Sequence, residues 1–143
     1  MMLATGPGHR LAGRKQIDLT QLQDEPFADG PQGWGARMAS DRAFALARAD
    51  RNVVYEMNDL ATMLGFVREG LAVALLPAYF TEQVPEISLI PIRRHAPTFN
   101  TYLATASDRR TTAATNALVQ VIDKHVNASE TRRRTPVHGR PRG

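Results

Sequence analysis

The sequence contains no cysteine among its 143 residues. That absence excludes disulfide bonds, catalysis by a thiolate, and zinc or iron–sulfur sites held by cysteine. No apolar run approaches the ~20 residues that a helix needs to cross a bilayer, and residues 1–15 lack the apolar core of a secretory signal. We therefore expect a cytoplasmic protein that does not bind membranes.

Excess positive charge is absent outside the end of the chain. The formal net charge is +4, and residues 127–143 hold five arginines against the single acid Glu130, which accounts for all of it. Residues 1–126 are therefore neutral overall, and the high pI does not indicate a DNA-binding surface there. The Arg- and Pro-rich tail is expected to be disordered, so that Arg132, Arg133 and Arg134 would contact DNA only non-specifically.

Motifs for catalysis, metals and nucleotides are missing as well. The four histidines lack the spacing of a metal site, and there is no nucleophile elbow, phosphate-binding loop or His-Glu-x-x-His. Glu56 and Asp59 are close enough in sequence for an acid/base pair, but a strand end and a helix cap explain them more simply. The sequence thus predicts neither an enzyme nor a cofactor.

The most regular stretch is residues 53–77, VVYEMNDLATMLGFVREGLAVALLP. β-branched and aromatic residues open it, Asn58 and Asp59 then offer oxygens that can cap a helix, and Gly70 can end that helix. The apolar residues between these signals recur at helical spacing and predict one buried stripe: Leu60, Met63, Leu64 and Val67. The apolar run 71–76 is typical of a strand covered on both faces. The stretch therefore predicts a parallel βαβ unit.

Weaker patterns precede this unit. Residues 1–8 contain two glycines and a proline without periodicity, so we expect no strand before His9. A helical turn within 17–22, a strand at 26–28, a turn at 29–33 and a helix over about 34–48 should follow. The polar side chains expected on the solvent face of that helix are Arg37, Asp41, Arg42 and Arg48.

Weaker patterns also follow the unit. They predict a short helix or turn at 78–83, strands at 87–92 and 99–104, and a last helix capped by Ser107 or Thr111. The last helix has a wide apolar face that needs a partner. Its members are Ala114, Ala117, Leu118, Val121, Ile122 and Val126.

In this order, the segments resemble the effector-binding domain of LysR-type transcriptional regulators. Residues 9–13 resemble the family's His-Pro-Leu-Ala segment, 31–35 resemble its glycine-rich turn, and 71–77, LAVALLP, resemble the strand after its central helix. Arg10 replaces a usual proline, and Ala72 replaces a frequent glycine. The resemblance covers roughly residues 9–126.

This resemblance implies an α/β protein with a partial type II periplasmic-binding-protein fold, consisting of the second lobe, the hinge strands and the final helix. The winged helix-turn-helix and most of the first lobe, on which the final helix would pack, are expected to be missing. We expect three parts: an N-terminal hinge segment at 1–15, the effector-binding domain at 16–126 and the disordered tail at 127–143.

The fold implied by the resemblance would bring three clusters of residues to one cleft. The candidate ligand-binding residues are Gly33, Trp34, Asn58, Asp59, Thr62 and Pro77. Two helix N-termini facing a cleft favour an anionic ligand, because free N–H groups and the helix dipoles attract negative charge. The alternative is that each polar side chain only caps its own helix and that Trp34 belongs to the core.

The implied function is binding of a small-molecule effector in a regulator of transcription, without sequence-specific DNA binding by this chain alone. We expect a homo-oligomer or association with a full-length regulator. Two other roles stay open. One is a solute-binding protein of the same fold, against which the missing secretory signal speaks. The other is a truncated interaction protein that pairs with full-length regulators.

Overall fold

The computed structural model of the chain describes residues 1–78, 84–98, 100–105 and 112–134. The chain divides into two compact units, Met1–Thr101 and Tyr102–Gly143. In these described ranges no helix is both long and apolar enough to cross a membrane.

The first unit contains two small sheets and two helices. Its elements are β1 (Met2–Thr5), a 3-10 turn (Leu19–Leu22), β2 (Pro26–Asp29), α1 (Gly35–Ala47), β3 (Asn52–Glu56), α2 (Leu60–Arg68), β4 (Ala74–Leu76) and β5 (Ser88–Pro91). One sheet has the order β4-β1-β5 with antiparallel pairs. The other is the parallel pair β2-β3.

Val73 connects the two sheets. It forms a parallel bridge with Phe27 of β2. The Val73 N–H donates to Pro26 O at 2.8 Å, and the Val73 carbonyl oxygen accepts from Ala28 N at 2.9 Å. The run from β3 through α2 to Val73 is therefore the parallel crossover that the sequence predicts. The following residues 74–76 leave that sheet, because they pair antiparallel with β1.

The boundaries of α2 agree with the sequence, but its buried stripe is narrower than expected. Asp59 is the N-cap, and Gly70 takes the left-handed conformation (φ 71°) that ends the segment. Val67 is fully buried, whereas Leu60 is 39% exposed. The predicted turn at 17–22 and the strands at 26–28 and 87–92 are also confirmed.

The expectation that no strand precedes His9 is wrong. Residues 2–5 form β1, the central strand of its sheet, and Leu3 and Ala4 are fully buried. Four residues are too few to show a period, and the partners of β1 are the distant strands β4 and β5. Local sequence therefore carried little sign of this strand.

α1 has the predicted extent but not the predicted solvent face. Asp41, Arg42 and Arg48 are exposed as expected. Arg37 is instead buried, because acidic residues at the ends of β2 and β3 lie beside it.

The region after β5 departs from the sequence expectations. Residues 100–104 contain no strand, so the strand predicted over 99–104 is wrong for them, and residue 99 lies outside the described residues. Residues 79–83 of the predicted helix or turn, and the proposed caps Ser107 and Thr111, also lie outside the described residues. The hydroxyl oxygen of Thr112 accepts a hydrogen bond from Thr115 N at 3.2 Å and so caps the last helix.

The second unit contains α3, Ala113–Arg134. Leu118 and Val121 on its apolar face are 59% and 65% exposed. The helix continues past residue 127, where the sequence predicts a disordered tail. Ala128, Glu130 and the following arginines are good helix formers, which explains the extension.

The core of the first unit lies on both faces of β1. Leu3 packs in a cluster with Phe27, Phe44 and Val73. Its neighbour Ala4 belongs to a second cluster that includes Val67 of α2. Successive residues of a strand point to opposite faces, so β1 separates the two clusters.

Gly6 provides a test of this packing. A Cβ atom built there would lie 2.6 Å from Val67 O and 2.9 Å from Arg68 O. We predict that Gly6→Ala lowers the free energy of unfolding by about 1–3 kcal/mol, because backbone atoms at the end of α2 would have to move. Urea denaturation measures this change. Gly8→Ala is the control, since nothing lies within 4 Å of its Cβ, and equal losses in both variants would contradict the prediction.

Candidate functional site

A cleft of about 300 Å³ opens where β2 and β3 end. These two strands are parallel, and their last residues, Asp29 and Glu56, lie opposite each other. The cleft is lined by Asp29 and Gly30 after β2, Trp34, Ala36 and Arg37 at the start of α1, Met57, Asn58, Asp59, Leu60 and Met63 around the start of α2, Leu75, Leu76 and Pro77 at the end of β4, and Met1. Carboxyl ends of parallel strands are the usual ligand-binding edge of an α/β sheet.

Four of the six candidate ligand residues line this cleft: Trp34, Asn58, Asp59 and Pro77. Gly33 and Thr62 are not among the lining residues. Gly33 has a φ of 87° and makes the turn before α1 possible. Thr62 lies in the first turn of α2 and hydrogen-bonds Asp59. The involvement of all six in ligand binding stays a prediction.

The N-terminus of α2 is already occupied by a carboxylate of the chain itself. Asp59 accepts hydrogen bonds from Thr62 N at 2.7 Å and from Ala61 N at 3.4 Å, and the Thr62 hydroxyl donates to the same carboxylate. These hydrogen bonds hold the pKa of Asp59 below its usual range, and the bond from the Thr62 hydroxyl has the largest effect. Asp59 is therefore an anion at neutral pH, and a second anion at this helix end would be repelled.

The N-terminus of α1 is different, because its N-cap residue Trp34 supplies no capping hydrogen bond from its side chain. Trp34, Ala36 and Arg37 line the cleft there. The indole lies close to Gly30, where an added Cβ would be 3.2 Å from Trp34 Cε3. Trp34 is 50% exposed, so it is not a core residue. Of the two helix ends expected to favour an anion, α1 is the one that is not capped by a side chain.

Sequence reasoning missed Arg37, which forms part of the cleft wall. Its Nη1 donates to Gly30 O at 3.1 Å, and its Nε donates to Asp41 Oδ2 at 3.0 Å. Nη1 also lies 3.5 Å from Glu56 Oε2. The i, i+4 spacing of Arg37 and Asp41 was a sequence signal for a pair, but the burial of Arg37 was not readable from it.

Arg51 is a second arginine whose side chain is buried, and it pairs with acidic residues beside Arg37. Its side chain is 3% exposed, and its guanidinium lies 5.5 Å from the ring centre of Phe27 and 5.4 Å from that of Phe44. It forms ion pairs with Asp29 and Asp41. Cation–π contacts of a desolvated guanidinium add to those pairs. Arg51 thus ties the end of β2 and the middle of α1 to the segment before β3.

The acidic side chains that line the cleft already have partners. Asp29 is paired with Arg51, and Asp59 caps α2. In the part of the chain that the structure describes, no group of His, Asp and Glu side chains could hold a metal ion. Most of the lining is apolar, with a few polar groups at its edge, which is typical of a small-molecule pocket.

Removing Arg51 should destabilise the protein strongly. We predict that Arg51→Met lowers the free energy of unfolding by about 3 kcal/mol, because Asp29 and Asp41 lose their buried cation. Chemical denaturation provides the measurement. Arg42→Met on the exposed face of α1 is the matched control and should change stability by less than about 0.5 kcal/mol. A loss for Arg51→Met no larger than that of the control would contradict the prediction.

The Asp59 cap should make stability depend on pH. Because the pKa of Asp59 is lowered in the folded state, its carboxylate stabilises the fold above the usual carboxyl range, and this contribution disappears as the pH falls through the lowered pKa. We predict that Asp59→Asn reduces the melting temperature near neutral pH and that the difference from wild type shrinks below about pH 4.

Melting curves of both proteins across that range measure this effect. Thr62→Val should raise the pKa of Asp59, because the Thr62 hydroxyl is the largest cause of the shift, and an NMR titration of the carboxyl group would detect the change. A difference in melting temperature that did not vary with pH would exclude this role of Asp59.

Comparison with known proteins gives three kinds of match. Residues 1–127 match the family model of the LysR substrate binding domain. The uncharacterized HTH-type transcriptional regulator YybE of Bacillus subtilis (strain 168) is 35% identical over 69 residues, which are 48% of this chain and 24% of that protein. The chain therefore spans about a quarter of this curated relative.

The third match is to solved structures. The effector binding domain of QuiR in complex with shikimate has 18% identity and a TM-score of 0.72 over 87% of this chain and 59% of that chain. The Synechocystis PCC6803 CcmR regulatory domain in complex with 2-PG has 18% identity and a TM-score of 0.71 over 87% and 61%. The BenM effector binding domain with benzoate has 19% identity and a TM-score of 0.65 over 99% and 65%. The chain thus spans about three fifths of these domains, and it shares their type II periplasmic-binding-protein-like fold.

Proposed function

The chain belongs to the LysR substrate-binding domain family, and we propose that its cleft binds a small organic anion as the effector of a transcriptional regulator. Domains of this family are effector-binding parts of regulators and are not enzymes. The proposal concerns the ligand class and the residues that contact it.

The cleft at the ends of β2 and β3 is the observation on which this proposal rests. A carboxylate there would lie near the first turn of α1, where the N-cap residue Trp34 makes no side-chain capping bond. Arg37, although already paired with Asp41, lines the cleft beside this turn. The apolar body of the ligand would contact Trp34, Met57 and Pro77, which line the same space. The neighbours QuiR and BenM hold shikimate and benzoate, both of which are carboxylates.

The six candidate residues would have two kinds of role. Trp34 and Asn58 would contact the effector, and Asp59 and Pro77 would shape the cleft around it. Gly33 and Thr62 would act indirectly, Gly33 through the turn before α1 and Thr62 through its hydrogen bonds to Asp59.

The cleft alone should bind weakly. The chain spans about three fifths of the neighbouring domains, so we propose that it supplies only part of the contacts to an effector. Fewer contacts mean less binding energy to offset the loss of translational and rotational freedom. We therefore expect dissociation constants on the order of 1 mM.

Asn58 provides the test of this site. We predict that Asn58→Ala weakens binding of benzoate or shikimate about fivefold, because one hydrogen bond to the ligand is lost. Trp34 is the single tryptophan of the chain and lines the cleft, so its fluorescence can follow the titration.

Asn52→Ala is the matched control, since Asn52 is an exposed asparagine at the opposite end of β3. It should leave the affinity unchanged. Equal affinities of wild type and Asn58→Ala would remove Asn58 from the site, and no fluorescence response to any carboxylate would remove the cleft.

Association with another copy or with a full-length regulator stays part of the proposal, as does a cytoplasmic location. The exposed Leu118 and Val121 on α3 support association, because exposed apolar side chains at helical spacing are typical of an interface. Non-specific DNA contact by Arg132, Arg133 and Arg134 also stays a prediction.

A further inference from the structure

A second pocket lies between α1 and the segment 95–98. Its volume is about 240 Å³, and it shares no lining residue with the cleft. Leu46, Pro97 and small alanine side chains supply its apolar surface, while Arg42, His95 and Thr98 supply hydrogen-bond donors. No acidic residue lines it. A pocket of this size can hold a small ligand with about one aromatic ring.

The Arg42 guanidinium lines this pocket, and no acidic residue does. Within the described ranges the Arg42 side chain forms no ion pair or hydrogen bond, and the neighbouring Asp41 pairs with Arg37 and Arg51 instead. Three basic residues beside the pocket, Arg93, Arg94 and His95, act on the carboxylate of Asp18. The hydrogen bond from Arg93 is the main cause that lowers the pKa of Asp18, and the charges of all three lower it further. That carboxylate is therefore already engaged, and it does not line the pocket. The charge left over favours an anion.

The segment that carries His95 is held in place on one side. Arg93 N donates to Ile17 O at 2.9 Å, and Ile92 forms a bridge with Ile17. His95 itself has a φ of 54°, in the left-handed region that residues other than glycine seldom adopt. Such conformations cost energy and recur at ligand sites, where the surrounding structure maintains them.

We propose that this pocket is a second ligand site, which takes a small carboxylate with an apolar ring. Arg42 pairs with the carboxylate, since a guanidinium can donate two parallel hydrogen bonds to it. His95 and Thr98 donate from the opposite wall, and the ring contacts Leu46 and Pro97. The proposal stands independently of the effector site, because the two pockets share no residue.

A ¹H–¹⁵N NMR titration with benzoate separates the two sites. The amide signals of Leu46 and Thr98 report on the second pocket, and the indole signal of Trp34 reports on the cleft. We expect Leu46 and Thr98 to shift with a dissociation constant on the order of 1 mM. Asn58→Ala should leave that constant unchanged. Absence of shifts at Leu46 and Thr98 would overturn the second site whatever Trp34 shows.

Two variants test how the carboxylate is held. Arg42→Met keeps the length of the side chain but removes its charge, and it should weaken binding at the second pocket about five- to tenfold. His95→Asn removes the imidazole but introduces a residue that tolerates the left-handed conformation, and it should weaken binding about two- to fivefold. Spectra of both variants without ligand establish that they fold.

Two controls complete the test. Arg14→Met removes an exposed arginine that does not line the pocket and should change nothing. Benzyl alcohol has the same ring without the charge and should bind far more weakly than benzoate. Equal binding of benzoate by wild type and Arg42→Met, or equal binding of benzyl alcohol and benzoate, would refute a carboxylate site.

Discussion

The buried guanidinium of Arg51 is the interaction on which the geometry of the cleft depends. It lies about equally far from the rings of Phe27 and Phe44, which also contact each other, and it pairs with Asp29 and Asp41. Phe27 and Asp29 belong to β2, and the other two belong to α1, so one side chain connects the strand that ends at the cleft with the helix that begins there. A desolvated cation is costly unless its partners are well placed, and this requirement restricts how the helix can move against the strand.

The two helix ends at the cleft differ in a way that matters for recognition. α2 carries its own anion, Asp59, which satisfies N–H groups of its first turn. α1 has Trp34 at the equivalent place and no side-chain cap. The uncapped helix end is therefore the one that we propose for an anionic ligand, and Arg37 lines the cleft beside it. α1 also forms one wall of the second pocket, through Leu46 and Arg42, so both proposed sites depend on how this one helix is held.

Much of the fold was readable because its signals are local. The caps Asp59 and Gly70, the helical spacing that ends at Val67, and the apolar run before Pro77 each follow from the conformational preferences of a few adjacent residues. The fold implied by the family resemblance placed six candidate residues at one cleft, and four of them line it: Trp34, Asn58, Asp59 and Pro77. The ordered set of motifs identified the LysR-type family, and the family match over residues 1–127 agrees.

The tertiary structure decided what depends on residues far apart in the chain. β1 was missed because four residues are too few to show a period, and they form a strand only by pairing with β4 and β5. Arg37 was expected on the solvent face of α1, and the sequence around Arg51 does not indicate that it is buried. The burial of both depends on acids and rings supplied by other elements. For Asp59 and Thr62 the sequence left open a ligand role or a helix cap, and only the structure shows the hydrogen bonds between them that form the cap. Sequence alone thus determined α1 and α2, their ends and the family, since these depend on short-range preferences. Which charges are buried, and which helix end is left uncapped, was settled only when distant segments packed together and removed those groups from water.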